Sequence, residues 1–137
     1  MPLKRKTVNP KAIQGAKKVD LSVISPVAIA HEACALMDGE WKYGPRNWRD
    51  KPITARAYIG AVLRHIHAWA EGEEVAEDSK VHHLGHARAC LGILLDAMEN
   101  GSLIDNRDKG VFPKTMVKLN DWVKSRKKTK VGHPWNV

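Results

Sequence analysis

Wherever this chain has enough apolar residues to form an element, they recur at spacings of three and four, and nowhere do they alternate. Tyr58, Ala61, Val62, His65, Ala68 and Trp69 share one side of a helix that opens at Pro52-Ile53-Thr54, with Thr54 as its cap, and runs to about Ala70. Leu84, Ala87, Leu91, Leu94, Leu95 and Met98 form a second stripe, on a helix capped by Asp78 or Ser79 that runs to about Asn100 and stops at Gly101. Ser25-Pro26 starts an earlier helix, because serine caps free N–H groups and proline suits the first turn. That helix covers Val27 to Asp38, with Ile29, Ala33, Leu36 and Met37 on one face and Gly39 as its stop. Phe112, Met116, Leu119 and Val123 predict a short fourth helix from about Pro113 to Ser125. The fold class is all-α: a helical bundle of three main helices plus a short C-terminal helix, with basic flexible termini. The expected organisation is a basic N-terminal arm over 1–20, a single domain over 21–125 and a basic tail over 126–137.

With 137 residues the chain is long enough to bury one core without staples. Its two cysteines, Cys34 and Cys90, lie in helical patterns and read as reduced, buried thiols. A basic N-terminus with no apolar run after it gives no signal peptide, and no stretch has the roughly 18 apolar residues of a membrane span. The expected location is the cytoplasm, with no membrane partner. The net charge of +8 belongs to the two ends, whereas residues 21–109 carry more acidic than basic groups. Such a middle suits divalent cations, and such ends suit polyanions.

The chemistry is concentrated between Lys42 and His86. Lys42-Tyr43-Gly44-Pro45-Arg46-Asn47-Trp48-Arg49 has the composition of a loop. Its guanidinium and ammonium groups suit phosphate oxygens, Asn47 suits a base edge and Trp48 suits stacking. The plain alternative is a surface turn with Trp48 plugged into the core. Arg64 and His65 follow, His65 on or beside the buried face, where a satisfied core histidine is the commoner case. Glu71 to Asp78 holds five carboxylates, a solvated turn or a source of hard ligands for Mg²⁺ or Mn²⁺. His83, His86 and Cys90 line one edge of the next helix, and imidazoles three apart can address one metal or phosphate.

Taken in order, Lys42-Tyr43-Gly44, Asn47-Trp48, Arg64-His65, Gly72-Glu73 and His83-Leu84-Gly85-His86-Ala87 resemble the phage family of dATP/dGTP diphosphohydrolase N-terminal domains, over roughly Asp20 to Gly101. That family is related to the MazG-like all-α nucleoside triphosphate pyrophosphatases. It is associated with phages that replace adenine by 2-aminoadenine, in which dGTP is cut to dGMP. The chain departs from the pattern at Ala76, where relatives tend to carry an acid, and at Lys80, where they tend to carry glycine. It also lacks the E-x-x-E and E-x-x-D pair in mid-helix, Glu74-x-x-Glu77 falling in the turn. The resemblance implies hydrolysis of a purine deoxynucleoside triphosphate, dGTP or dATP, to the monophosphate and pyrophosphate. It also implies Mg²⁺ or Mn²⁺ and a homo-oligomer, dimer or tetramer.

On that reading Glu73, Asp78, His83 and His86 hold the metal, and Lys42, Tyr43, Asn47, Trp48 and Arg64 bind the substrate. His65 and Glu73 are the catalytic candidates, His65 as general base or as the partner that orients a ligand. One rival is a non-enzymatic protein that contacts nucleic acid through its basic termini, with Trp122 and Trp135 near the second. Another is a family member that binds nucleotide without cutting it.

Overall fold

A computed structural model of the chain describes residues 7–126. The described residues are mostly helical, as the spacing predicts, and divide into two compact units, Met1–Asn106 and Arg107–Val137. Most of the basic tail, Trp135 included, lies outside the described residues, as do residues 1–6.

The first unit begins with a short helix, α1 (Pro10–Gly15), within the stretch read as a loose arm. Asn9 Oδ1 caps it by accepting from the Lys11 N–H at 2.8 Å, and none of its residues is buried. A 3₁₀ turn over Leu21–Val23 leads to α2 (Pro26–Tyr43), which Ser25 caps through its hydroxyl and the Ala28 N–H. The stop expected at Gly39 does not occur. The helix runs four residues further and ends at Gly44, whose φ of 90° only glycine adopts freely. Lys42 and Tyr43 therefore sit on the last turn of a helix, not in a loop. After Pro45 and Arg46, the short helix α3 (Asn47–Asp50) and strand β1 (Ile53–Thr54) lead to α4 (Ala55–Ala70). Thr54 is the cap residue, but its side chain makes no capping bond; Asn106 Oδ1 accepts from the Arg56 N–H at 2.9 Å instead. A turn containing the antiparallel bridge Val75–His82 precedes α5 (His83–Asn100). His82, not Asp78 or Ser79, caps α5, its Nδ1 accepting from the Leu84 N–H at 3.0 Å. Gly101, at φ 72°, ends it as expected. Strand β2 (Leu103–Ile104) then pairs in parallel with β1, Ile53 against Leu103 and Thr54 against Ile104. Two-residue strands have no room for an alternating pattern, so nothing in the sequence announced them.

Helix α5 packs against both α2 and α4. The buried apolar side chains among the described residues are all small: Ala35, Ala55, Val62, Ala76, Ala87, Ala89 and Ala97. Small side chains let helix axes approach closely. At Gly85 the approach is closest, since a Cβ there would lie 2.6 Å from the His31 carbonyl oxygen. This displaces part of two expected stripes, although Ala87 is buried and Leu36, Leu84 and Leu94 are half-buried as predicted. On α2 the inward positions are Ala28, Glu32, Ala35 and Gly39, whereas Ile29 and Met37 are exposed. On α5 the buried positions are His83, Gly85, Ala87, Ala89 and Ala97, whereas Leu91, Leu95 and Met98 are 48%, 66% and 54% exposed. Cys34 is exposed for the same reason and Cys90 is half-buried; both are free thiols, not the buried pair expected. The face predicted for α4 is the inward one, apart from Trp69, which is exposed. Among the described residues no helix is long and apolar enough to cross a membrane.

In the second unit, α6 (Phe112–Ser125) covers the predicted span. Its Trp122 is exposed, with the Arg126 guanidinium 4.6 Å from the ring centroid.

Candidate active site

A cavity of about 810 Å³ opens in the first unit between the C-terminal half of α2, the Gly44–Trp48 turn, the middle of α4 and the first half of α5. Of the residues predicted for the site, Lys42, Tyr43, Asn47, Trp48, Arg64, His65, Asp78 and His86 line it, and Glu73 and His83 do not. The extension of α2 past Gly39 carries Lys42 and Tyr43 to the rim. Gly39 itself lines the wall, and no heavy atom lies within 4 Å of where its Cβ would be. Arg46, in the left-handed region at φ 49°, turns the chain so that Asn47 and Trp48 face the same space.

That turn is held down by a residue the sequence did not single out. Asp96 on α5 accepts from Arg49 Nε at 2.8 Å and Nη2 at 2.7 Å, and from the Trp48 indole N–H at 2.6 Å. The guanidinium fork, then the indole, hold its carboxyl far below the usual carboxylate range. Arg49 is thereby committed to structure and is not a phosphate ligand. Trp48 is neither plugged into the core nor loose: one edge is tied to α5 while the ring lines the cavity. The sequence signal for Asp96 is a lone carboxylate in an otherwise apolar helix stretch.

On the α2 side of the cavity the Lys42 ammonium lies 2.7 Å from Asp38 Oδ2 and 3.6 Å from Asp78 Oδ2. The hydrogen bond to Asp38 raises the Lys42 pKa, and the Ser79 backbone N–H, with Lys42 behind it, lowers that of Asp78. Asp38 was not predicted; its position four residues before Lys42 on one helix was the available signal.

At the inner end three imidazoles converge. His65 Nδ1 is 2.9 Å from His83 Nδ1, and His83 Nε2 is 2.8 Å from Glu73 Oε1. His86 stacks on His65, with ring centroids 4.5 Å apart and planes 10° apart, while its Nε2 lies 2.8 Å from Ser79 Oγ. Burial lowers the pKa of both His65 and His86; at His65 the neighbouring imidazoles add to the effect, whereas at His86 the carboxylates of Asp38 and Asp78 oppose it. His65 is half-buried and packs on α5, yet it also lines the cavity. The Cys90 thiol, another lining group, is pushed up by burial and stays protonated.

The four residues expected to share a metal are not brought together. Glu73 bonds to His83, Asp78 to Lys42 and His86 to Ser79, because the Val75–His82 bridge turns Glu73 and Asp78 to different partners. Among the described residues no group of three or more His, Cys, Asp or Glu side chains is arranged to hold a metal ion. The hard oxygens on the cavity wall that flank one cationic group are those of Asp38 and Asp78. That pair fits Mg²⁺ or Mn²⁺ arriving with a triphosphate, since such an ion needs only one or two protein carboxylates beside phosphate and water.

The family model described as "dATP/dGTP diphosphohydrolase, N-terminal" matches residues 8–107, which include every residue of this cavity. A protein of Salmonella phage PMBT28 named dATP/dGTP diphosphohydrolase is 30% identical over 90 residues. The match covers 66% of this chain and 30% of that relative, so the chain corresponds to less than a third of it. No solved structure matches the chain.

Proposed function

The chain belongs to the family of dATP/dGTP diphosphohydrolase N-terminal domains, and on that premise we propose that its cavity binds a purine deoxynucleoside triphosphate and hydrolyses it to the monophosphate and pyrophosphate. The observation that carries this reading is the content of one cavity: cationic Lys42, Arg46 and Arg64, aromatic Tyr43 and Trp48, and the imidazole of His65, whose pKa burial lowers. Its volume of about 810 Å³ lies within the range of small-molecule sites. Trp48, tied by its indole N–H to Asp96, offers a ring of fixed orientation for a purine, and Asn47 beside it offers an amide to the base edge. Arg46 and Arg64 supply forked donors to phosphate oxygens, and Lys42 supplies a point charge. Water adds to the α-phosphorus, and the bond from that phosphorus to the bridging oxygen breaks as pyrophosphate leaves. His65 accepts the proton of the attacking water. The guanidinium groups stabilise charge on the phosphoryl oxygens. Asp38 and Asp78 would hold Mg²⁺ or Mn²⁺, and the chemistry the ion would supply there is neutralisation of phosphate charge.

With dGTP the product is dGMP, and it is the family resemblance that supports a part in phage nucleotide-pool remodelling of the kind that serves 2-aminoadenine DNA. The protein works as a homo-oligomer, because Leu91, Leu95 and Met98 leave apolar surface on α5 that a second copy would cover. Sedimentation at increasing concentration checks this: a monomer at every concentration rejects it. The activity is tested by incubating the protein with each deoxynucleoside and ribonucleoside triphosphate, with Mg²⁺ or Mn²⁺, and resolving the products. Release of dGMP or dAMP with pyrophosphate is expected. Absence of product from every nucleotide with both metals overturns the reading.

A further inference from the structure

Glu73 and His83 stand behind His65, away from the cavity wall. Their hydrogen bonds form an unbranched chain: Glu73 Oε1 to His83 Nε2 at 2.8 Å, then His83 Nδ1 to His65 Nδ1 at 2.9 Å. Two like nitrogens at that separation share one proton, so one must donate and the other accept. A carboxylate can only accept. With one proton on each ring, His83 therefore spends its proton at Nε2, and its Nδ1 is left as an acceptor. His65 must then donate from Nδ1, which leaves the lone pair on its Nε2. Among the described residues that Nε2 has no hydrogen-bond partner, and His65 lines the cavity.

We propose that Glu73 and His83 are positioning residues: the carboxylate, acting through the buried imidazole of His83, fixes His65 in the tautomer whose Nε2 can take a proton from a group in the cavity. The proposal deepens the hydrolase reading by naming what makes His65 a base, but the tautomer itself does not depend on nucleotide chemistry. Two further contacts hold the relay in place. His83 is only 5% exposed at the start of α5, where its own N–H bonds to the Glu74 carbonyl at 3.0 Å. His86 stacks nearly parallel on the His65 ring and restrains its rotation. Glu73 occupies a position after Gly72, whose φ of 99° lets the chain reverse out of α4 and bring the carboxylate back towards α5. A metal-ligand role for His83 would need a ring nitrogen that this chain already uses, since both are engaged.

The test is a spectrum of the full chain with ¹⁵N-labelled histidine, in which long-range proton–nitrogen correlations report the tautomer of each ring. The unmodified protein should show His65 protonated at Nδ1 and bare at Nε2. Glu73→Gln should populate both His65 tautomers, because an amide can donate as well as accept. Glu73 has an exposed side chain, so this variant keeps the fold. Glu73→Asp should restore the original tautomer at least in part. In the hydrolysis assay, Glu73→Gln should lower kcat by about 10²-fold with little change in KM, as expected when a base is held in the wrong tautomer. A proton on His65 Nε2 in the unmodified protein, including the case of a doubly protonated His83 donating from both nitrogens, overturns the proposal. So does a Glu73→Gln spectrum identical to the original. If the tautomer shifts as described while no nucleotide is cut, the relay stands and the hydrolase reading falls.

Discussion

Two of the cavity's lining residues, Trp48 and Lys42, each belong to a cluster that pairs a cation with carboxylate, and the two clusters are built in different ways. In one, the Arg49 fork closes on Asp96 with two bonds, and the Trp48 indole adds a third. In the other, a single Lys42 ammonium is shared between Asp38 at 2.7 Å and Asp78 at 3.6 Å. The planar guanidinium has a preferred geometry and little reason to leave it, whereas an ammonium on a flexible stem exchanges partners easily. The first cluster is therefore scaffold that presents Trp48, and the second is a contact that a phosphate or a metal ion can reorganise. Charge alone did not separate Arg49 from Lys42 in the sequence; the partners did.

Four experiments press on that difference, from the largest expected effect to the smallest. Lys42→Ala removes the exchangeable cation. It should lower kcat/KM for nucleotide hydrolysis by about 10²-fold while leaving the helical circular dichroism unchanged, and an equal loss of helix would place Lys42 in the scaffold. Asp96→Asn leaves the arginine fork without its charge partner. Its expected signature is a lower melting temperature and a KM raised by about tenfold, with kcat less affected; an unchanged KM would separate Trp48 from the substrate.

The third experiment is acidification. His65 and His86, at the inner end, have folded-state pKa values lowered chiefly by burial, with Asp78 opposing the effect at both rings. Protonation then favours the unfolded chain. The stability they contribute is fully present above about pH 6.5, the ordinary histidine value, and is lost as pH falls through that point towards the folded values. Melting temperature should drop over that interval, and replacing both rings by glutamine should flatten the drop. The smallest effect is expected at Lys80, which sits in the left-handed region at φ 59° beside the Asp78 wall. Lys80→Gly relieves that conformation and should stabilise the protein by about 1 kcal/mol or less, measurable by denaturant titration. A destabilised variant would mean that the lysine side chain matters more than the backbone.

Lys80 also shows what the sequence could and could not yield. A φ of 59° is a conformation that glycine adopts freely and lysine does not, and no spacing of apolar residues announces it. The inward face of α4 was legible because Tyr58, Val62 and His65 are large enough to mark a period. The inward faces of α2 and α5 were legible only in part, at Leu36, Leu84, Ala87 and Leu94, because most of their packing residues are alanine and glycine, and the larger Ile29, Leu91 and Leu95 point elsewhere. Most of the cavity residues could be found in advance since they cluster in one stretch of chain. Asp38 and Asp96 could not, because each acts on a residue of that stretch from a helix read as scaffold. The Glu73–His83–His65 order was hidden for a related reason: H-x-x-H spacing puts His83 and His86 on one face, but it does not tell which nitrogen meets a carboxylate, a second imidazole or a hydroxyl.

Two glycines in the helices around this cavity will respond oppositely to random mutation. At Gly85 any side chain drives its first carbon into a backbone oxygen of the neighbouring helix, an atom that cannot rotate aside. At Gly39 a side chain meets nothing, but it projects from a wall of the cavity. A variant library sorted only for folded, protease-resistant protein should lose every substitution at position 85 and keep many at position 39. The same library sorted for nucleotide turnover should lose bulky residues at both. The positions that survive the first sorting and fail the second would outline the cavity from genetics alone.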